Sequence, residues 1–341
     1  MVNSITQEIS SNTVNTVSTK PTHTWGPKIL LLSTNHVGNT LFCTPGIHLL
    51  KQHLPQVQLD VVAMSPRAAA ALSDNPDINK VYRMSCKWRV RRLAKRYNQI
   101  IGLHYDKFRH YFEHVTDKHF SIGEPVDNQH RAEEIIQYVQ KLLNIAPQQI
   151  ERNYVLRHRP EHLTKIKQLL AVGSTEQTFF VGIALGCGQI AAHGWQFWSK
   201  RRYHAKRLWS FEQYIKLAQS LQQHYPGLRF VLTGSRNEKA LGAAFARKVP
   251  HTINLIGRTS LQEVAALMTQ LRLFITHDTG TLHIACGTPV PVVALFGPTQ
   301  LERTGPYPSR PQHTIIRKAH MDEIELPEVL DACTKILEMR R

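Results

Sequence analysis

The sequence predicts an α/β protein made of two parallel, Rossmann-like layers. Short apolar runs alternate with segments of helical apolar spacing in both halves of the chain, as βα units feeding a parallel sheet do. At 341 residues the chain exceeds what one core usually holds, so two domains are expected. The two alternating series are separated by a stretch around residues 150–178, read as the link between them. The expected limits are a mobile tail over 1–27, a first domain over 28–155, a linker over 156–177, a second domain over 178–325 and a C-terminal helix over 326–341.

In the first series "KILLLST" (28–34) is apolar enough for a buried strand. The loop "NHVGN" follows, then helical spacing in "TLFCTPGIHLLKQHLP", where Pro45 either opens the helix proper or kinks it. "VQLDVVAM" (57–64) is a strand, "RAAAALSDNP" a short helix with a Pro stop, and "INKVYRM" a strand. "CKWRVRRLAKRYNQ" (86–99) is a basic helix, "IIGLHYD" (100–106) a strand with a polar end, and "HRAEEIIQYVQKLLNI" (130–145) an amphipathic helix.

The second series opens with the strand "FFVGIALG" (179–186), which ends at a Gly turn. A helix over 210–226, a strand over 228–234, the helix "NEKALGAAFARKV" and the short strand "INLIG" follow. "SLQEVAALMTQL" (260–271) is a helix with Ser260 as its expected N-cap. "RLFITH", a helix near 280–287 and "PVVALFG" complete the set.

Composition narrows the class of partner. The chain holds 42 Lys and Arg against 25 Asp and Glu, a formal charge of +17, which favours anionic partners such as nucleic acid, phosphorylated lipid or a charged small molecule. The five cysteines are scattered without a CxxC pair, so neither a zinc site nor a disulfide framework is suggested, and a reducing cytoplasm is the expected setting. No apolar run approaches the roughly 18 residues that span a membrane. The N-terminal stretch, rich in Ser, Thr and Asn, lacks the apolar core of a secretory signal.

The chemistry concentrates in "FITHDTGTLHIACGTPVPVVALFGPT" (274–299). Ligands of open parallel sheets sit at the carboxyl ends of the strands. Asp278 falls at such an end, and Thr279, Gly280 and Thr281 open the next helix, whose free N–H groups make an anion site. Gly280 admits a ligand close to the backbone, and His283 in the first turn can add a donor to a phosphate. The plainer reading makes Asp278 a helix cap and His283 a surface residue.

The whole string resembles the hallmark of glycosyltransferase family nine, the bacterial heptosyltransferases of lipopolysaccharide core synthesis. The hallmark is a strand, Asp-Thr-Gly, two residues, His, small residues, Gly-x-Pro and "LFGPT". The resemblance runs from Lys28 to about Leu337, and "KILLLSTNHVGNTLFCTPGIHLLKQHLP" is similar to the family's first strand, loop and helix. It implies a GT-B architecture, with two Rossmann-like domains facing a central cleft, the first on the acceptor side and the second binding the donor. It also implies inverting chemistry and an ADP-sugar donor as substrate; no cofactor is expected.

Further site residues follow from the same resemblance. Glu238 in "TGSRNE" matches the carboxylate expected on the donor ribose hydroxyls, although a solvated helix-start Glu fits its spacing too. Lys206 in "HAKRLW" resembles the lysine opposite the diphosphate, where a cation meets the leaving-group charge. It stands among Lys200, Arg201, Arg202 and Arg207, which leaves the position open. Gly186 and Cys187, with Gly188, fall where the family presents small or hydroxyl residues to the phosphates. No Asp-x-Asp metal motif is present, and His110 with His114 lacks a third ligand, so no metal is expected.

One position departs from the family. Its first loop reads Gly-Asp, the Asp being the expected general base, whereas this chain reads Gly38-Asn39. An amide orients a hydroxyl but does not usefully take its proton. Three readings stay open: a neighbouring base, with His36 first and His104 or Asp106 next; a slow, weakly assisted enzyme; or a relative that binds without transferring.

The basic helix carries Lys87, Arg89, Arg91 and Arg92 with Trp88 and Tyr97 interleaved. It is expected to meet an anionic glycolipid acceptor or the inner membrane surface. Nucleic-acid binding and a plain solvated face are its alternatives. The overall expectation is a cytoplasmic, peripheral transferase moving a sugar, most simply heptose from ADP-heptose, to a lipopolysaccharide or lipooligosaccharide core. Another nucleotide sugar for a surface glycan is the alternative within enzymes.

Overall fold

The computed structural model describes residues 25–104, 110–111, 120–146, 150–187 and 207–339. Asp106, His114, Gly188 and Lys206 lie outside them, as does residues 1–24 of the expected tail. The tail's Trp25 is half-buried against the core of the first domain.

Strands β1 (Lys28–Leu32), β2 (Gln58–Ala63), β3 (Lys80–Arg83), β4 (Gln99–Gly102) and β5 (Phe120–Ile122) form one sheet in the order β3-β2-β1-β4-β5. All its pairs are parallel, with Leu30 opposite both Asp60 and Ile100. The second sheet holds β6 (Phe179–Ile183), β7 (Leu228–Leu232), β8 (Ile253–Asn254), β9 (Leu273–His277), β10 (Val292–Phe296) and β11 (His313–Arg317). Its order is β11-β10-β9-β6-β7-β8, again parallel throughout. In each sheet the strand order reverses once, between β1 and β4 and between β6 and β9. Such reversals open the crevice in which doubly wound sheets bind ligands.

Successive strand side chains point to opposite faces, and the cores follow that period. Ile29 and Leu31 of β1 enter one core while Leu30 and Leu32 enter another. Likewise Val292, Ala294 and Phe296 face one side of β10, and Val293 and Leu295 the other. One apolar cluster runs from the first sheet into the second domain without interruption, so the two domains share a packed seam.

The helices in order are α1 (Val37–His53), α2 (Pro66–Ala71), α3 (Lys87–Ala94), α4 (Arg131–Leu143) and α5 (Pro160–Ala171). Then come α6 (Phe211–His224), α7 (Lys239–Lys248), α8 (Leu261–Met268), α9 (Gly280–Cys286), α10 (Leu301–Thr304) and α11 (Leu326–Glu338). Ser260 caps α8, its hydroxyl accepting from the Glu263 N–H at 3.1 Å. Two elements depart from the sequence expectation. Helix α1 begins at Val37, so Gly38 and Asn39 belong to its first turn rather than to a loop, and Pro45 lies inside it. Pro45 has no N–H for the Leu41 carbonyl; the Thr44 hydroxyl donates there instead at 2.7 Å and accepts from the Val155 N–H at 3.0 Å. Finally, the stretch read as a link contains α5, which buries Ile166 and Leu170 and ties Lys165 to Glu263 of α8 at 2.7 Å.

The seam is polar as well as apolar. The Ala132 N–H donates to His130 Nδ1 at 3.1 Å, so the ring proton sits on Nε2, which donates to the Gly305 carbonyl at 3.2 Å. The same ring stacks on Tyr307 at 4.4 Å between centroids. The Tyr307 hydroxyl donates to Glu133 at 2.8 Å, and Arg303 pairs with Glu134 at 3.0 Å. His283 of α9 lies edge-on to Phe42 of α1 at 4.7 Å.

Two outcomes follow from these contacts. Thr44→Val keeps the shape but strands the Leu41 carbonyl and the Val155 N–H, and should cost about 1–3 kcal/mol in chemical denaturation; an unchanged midpoint would refute the role of the hydroxyl. Burial holds His130 and His277 near pKa 4 and His283 near 3, against an ordinary 6.5. These rings are neutral in the fold, while the unfolded chain takes up their protons near 6.5. Their contribution is therefore complete above about pH 6.5 and is lost as pH falls toward 4, by up to about 1.4 kcal/mol per pH unit for each ring. Unfolding free energy measured across that window should drop; a flat profile would exclude neutral buried imidazoles.

Candidate functional site

Because every strand of the second sheet runs the same way, the segments that leave β6, β7, β9 and β10 all emerge on one edge. Gly186 and Cys187 follow β6, and Asp278 follows β9, its immediate neighbour in the sheet. These residues flank the crevice where the strand order reverses.

Asp278 is 7% exposed. Its Oδ2 lies 3.7 Å from Nη1 of Arg207 and 3.4 Å from the Thr304 hydroxyl. Burial pushes its carboxyl above the usual range, and the Arg207 charge with the Thr299 and Thr304 hydroxyls draws it partly back. Thr279 is the extended residue before α9, and its hydroxyl meets that of Thr281 at 2.8 Å. The first turn of α9 thus presents two hydroxyls and its leading N–H groups beside a guanidinium, an arrangement suited to phosphate oxygens.

Glu238 is not a solvated residue; it is 4% exposed. It follows β7 in a 3-10 turn, Arg236–Glu238, and accepts from the Ser235 N–H through Oε2. A Cβ on Gly186 would come within 2.0 Å of Glu238 Oε1, and one on Gly234 within 2.6 Å of Oε2. The carboxylate therefore rests against the backbone of two strand ends, and only glycine leaves room for it there.

His283 is not a surface residue either, at 3% exposure. Its ring meets the first domain: a Cβ on Gly38 would lie 2.6 Å from His283 Cδ2, and one on Gly280 would lie 3.3 Å from Cβ of Val37. The first turns of α1 and α9 therefore abut. Asn39 is the next residue of that turn, half-buried, with its carbonyl accepting from Cys43 at 3.4 Å. His36 precedes the helix and is exposed. His104 follows β4 and is buried, lining a small cavity with Glu124, Arg131, Glu134 and Tyr138.

The structure thus gathers Gly186, Glu238, Asp278, Thr279, Gly280 and His283 at one edge, with Asn39 against it. Lys87, Arg89 and Arg92 stand apart on α3. Arg91 is not part of that surface, since its Nε donates to the Tyr111 carbonyl at 2.5 Å. Lys206 and Asp106 lie outside the described residues. Sequence reasoning left Arg207 as one basic residue among several and passed over Thr304 and His277. His277 lies beneath Asp278, fully buried, its Nδ1 3.3 Å from the Tyr214 hydroxyl. No local pattern marks these contacts, because each partner comes from a distant segment.

Comparison with known proteins agrees with this geometry. Residues 195–332 match the model of glycosyltransferase family 9 (heptosyltransferase). A curated relative, lipooligosaccharide heptosyltransferase 2 of Haemophilus influenzae, is 34% identical over 118 residues, and the match spans 33% of this chain and 33% of the relative's length. A solved glycosyltransferase family 9 protein from Veillonella parvula superposes with a TM-score of 0.75 at 16% identity, over 92% of this chain and 98% of that one. The ADP-heptose lps heptosyltransferase II of E. coli does so with 0.72 at 18% identity, over 92% and 99%. The chain therefore has the two-domain GT-B fold, and it is its residues 195–332 that match glycosyltransferase family 9 (heptosyltransferase).

Proposed function

We propose that the protein is an inverting glycosyltransferase that moves a sugar, most simply heptose from ADP-heptose, onto a lipopolysaccharide- or lipooligosaccharide-type core. It works peripherally at the inner face of the cytoplasmic membrane. The observation that carries this reading is the convergence of Asp278 with Arg207, Thr279 and Gly280 at the strand reversal, directly against the first turn of α1.

In this reading the donor diphosphate lies on the first turn of α9, and Arg207 leaves Asp278 to meet it. Charge that builds on the departing nucleoside diphosphate is met by that guanidinium and by the N–H groups of α9, so no metal is invoked. Lys206 is a second cation for the same group. Glu238 takes the ribose hydroxyls, which a carboxylate accepts in pairs. The acceptor enters from the side of α1, where Asn39 orients its hydroxyl and His36, exposed beside that turn, takes the proton. His104 is buried beside Arg131 and Glu134, and ranks behind His36 with Asp106. Asn39 itself favours a second reading, a relative that holds the nucleotide sugar without transferring it.

Calorimetry of the purified protein against ADP, ADP-heptose, UDP-sugars and GDP-sugars tests the donor site. Selective binding of the ADP-linked ligands is expected. Arg207→Ala should weaken it about tenfold or more, as a charged hydrogen bond worth roughly 1.5–3 kcal/mol implies. Gly186→Ala, which displaces Glu238, should weaken it too. Equal affinity in both variants, or no nucleotide binding, would sink the assignment. With a core acceptor supplied, unchanged turnover in His36→Ala would exclude His36 as the base. Donor binding without turnover, restored by Asn39→Asp, would establish the second reading.

A further inference from the structure

Helix α3 presents a surface unlike any other described part of the chain. Trp88 is 59% exposed, the largest side chain among the exposed apolar residues that the structure describes. Around it Lys87, Arg89, Arg92, Lys95 and Arg96 are exposed, as is Arg83 at the end of β3. The guanidinium of Arg89 lies 5.5 Å from the centre of the Trp88 ring. No Asp or Glu occurs between Asp77 and Asp106 in the sequence. Among the described residues none of these six cations forms an ion pair.

The opposite face of the helix is fixed. Val90, Leu93 and Ala94 pack with Leu30, Leu32, Val62 and Ile100 of the sheet. Arg91 is drawn to the Tyr111 carbonyl, and the Tyr97 hydroxyl donates to the buried Asp60 at 2.5 Å. The helix is therefore held rigidly with one aromatic ring and a collar of positive charge facing outward. Its first residues emerge at the carboxyl end of β3, the same sheet edge at which β1 passes into the Asn39 turn. With β2 between them, the two strand ends are about 10 Å apart.

We propose that the outer face of α3 docks the protein on an anionic lipid bilayer, with Trp88 seated at headgroup depth and the cations around it on lipid phosphates. This rests on the transferase reading and names how its lipid-borne acceptor is approached. The charge complementarity is one-sided, as an anionic surface requires, and an indole with one apolar and one wet edge suits that boundary. A merely solvated face would mix charge signs and hide its tryptophan. Single-stranded nucleic acid is disfavoured by the same helix, since bases stack on successive aromatic rings, whereas Tyr97 is turned inward to Asp60 and Trp88 is the exposed ring of α3.

The full-length protein should co-sediment with phosphatidylcholine vesicles containing phosphatidylglycerol and not with phosphatidylcholine alone, and added salt should weaken the partition. Arg89→Gln and Arg92→Gln should each lower it about fivefold, and Trp88→Ala about tenfold, while calorimetric ADP binding stays unchanged. Quenching of tryptophan emission by brominated lipid should disappear in Trp88→Phe, although four other tryptophans remain. Partition indifferent to lipid charge, or unaltered in Trp88→Ala, overturns the proposal. So does a polyuridylate affinity that exceeds the vesicle affinity at equal salt. Nucleotide-sugar binding without vesicle binding fails the docking surface alone; vesicle binding without nucleotide binding fails the transferase reading alone.

Discussion

The close approach of Gly38 to the His283 ring sets the geometry on which the site depends. A side chain at position 38 would run into the imidazole, since even a Cβ falls 2.6 Å from Cδ2. Without it, the opening turns of α1 and α9 touch, and the carboxyl edges of the two sheets face each other across a single turn of helix. Desolvation there keeps His283 neutral, so its ring fills the contact as an aromatic wedge between Phe42 and Tyr154. The residue that resembles a phosphate ligand in the sequence is thereby also the keystone of the domain seam.

A short segment ties that seam to the donor side. From α10 to Tyr307 the chain reaches in two directions. The Thr304 hydroxyl points to Asp278, while Arg303, Gly305 and Tyr307 engage Glu134, His130 and Glu133 at the start of α4. Arg152 closes the group on Glu133 at 3.0 Å. Of these groups Glu134 is buried, and it depends on Arg303, because a lone buried charge is costly. The carboxylate at the centre of the site and the contacts that fix the domains are thus separated by a few residues of one rigid strap.

Much of the architecture is legible in the sequence because it rests on local periodicity. Runs such as "KILLL" and "VVALF" alternate across the sheet faces, and Ser260 with Glu263 caps α8 by chemistry confined to four residues. The misreadings have physical causes. Helix α1 starts before Thr40 because Val37 and Gly38 pack on α9, a contact absent from local propensity. The stretch 160–171 carried a signal, a Pro at the first helical position and apolar residues at 163, 166 and 170, yet what makes it a helix with a purpose is the α8 surface it covers.

The sequence by itself determined the two alternating α/β series, the placement of Asp278, Thr279 and Gly280 at a strand end, and the departure at Asn39. Each is a matter of residue identity at short spacing. Only the tertiary structure decided that Arg207 is the cation beside Asp278, and that Glu238 lies in the space left by Gly186 and Gly234. It alone decided that Arg91 and Tyr97 turn inward while Trp88 stays out. Those outcomes depend on which distant segments the sheets bring into register, and on how burial then reweights each charge and ring.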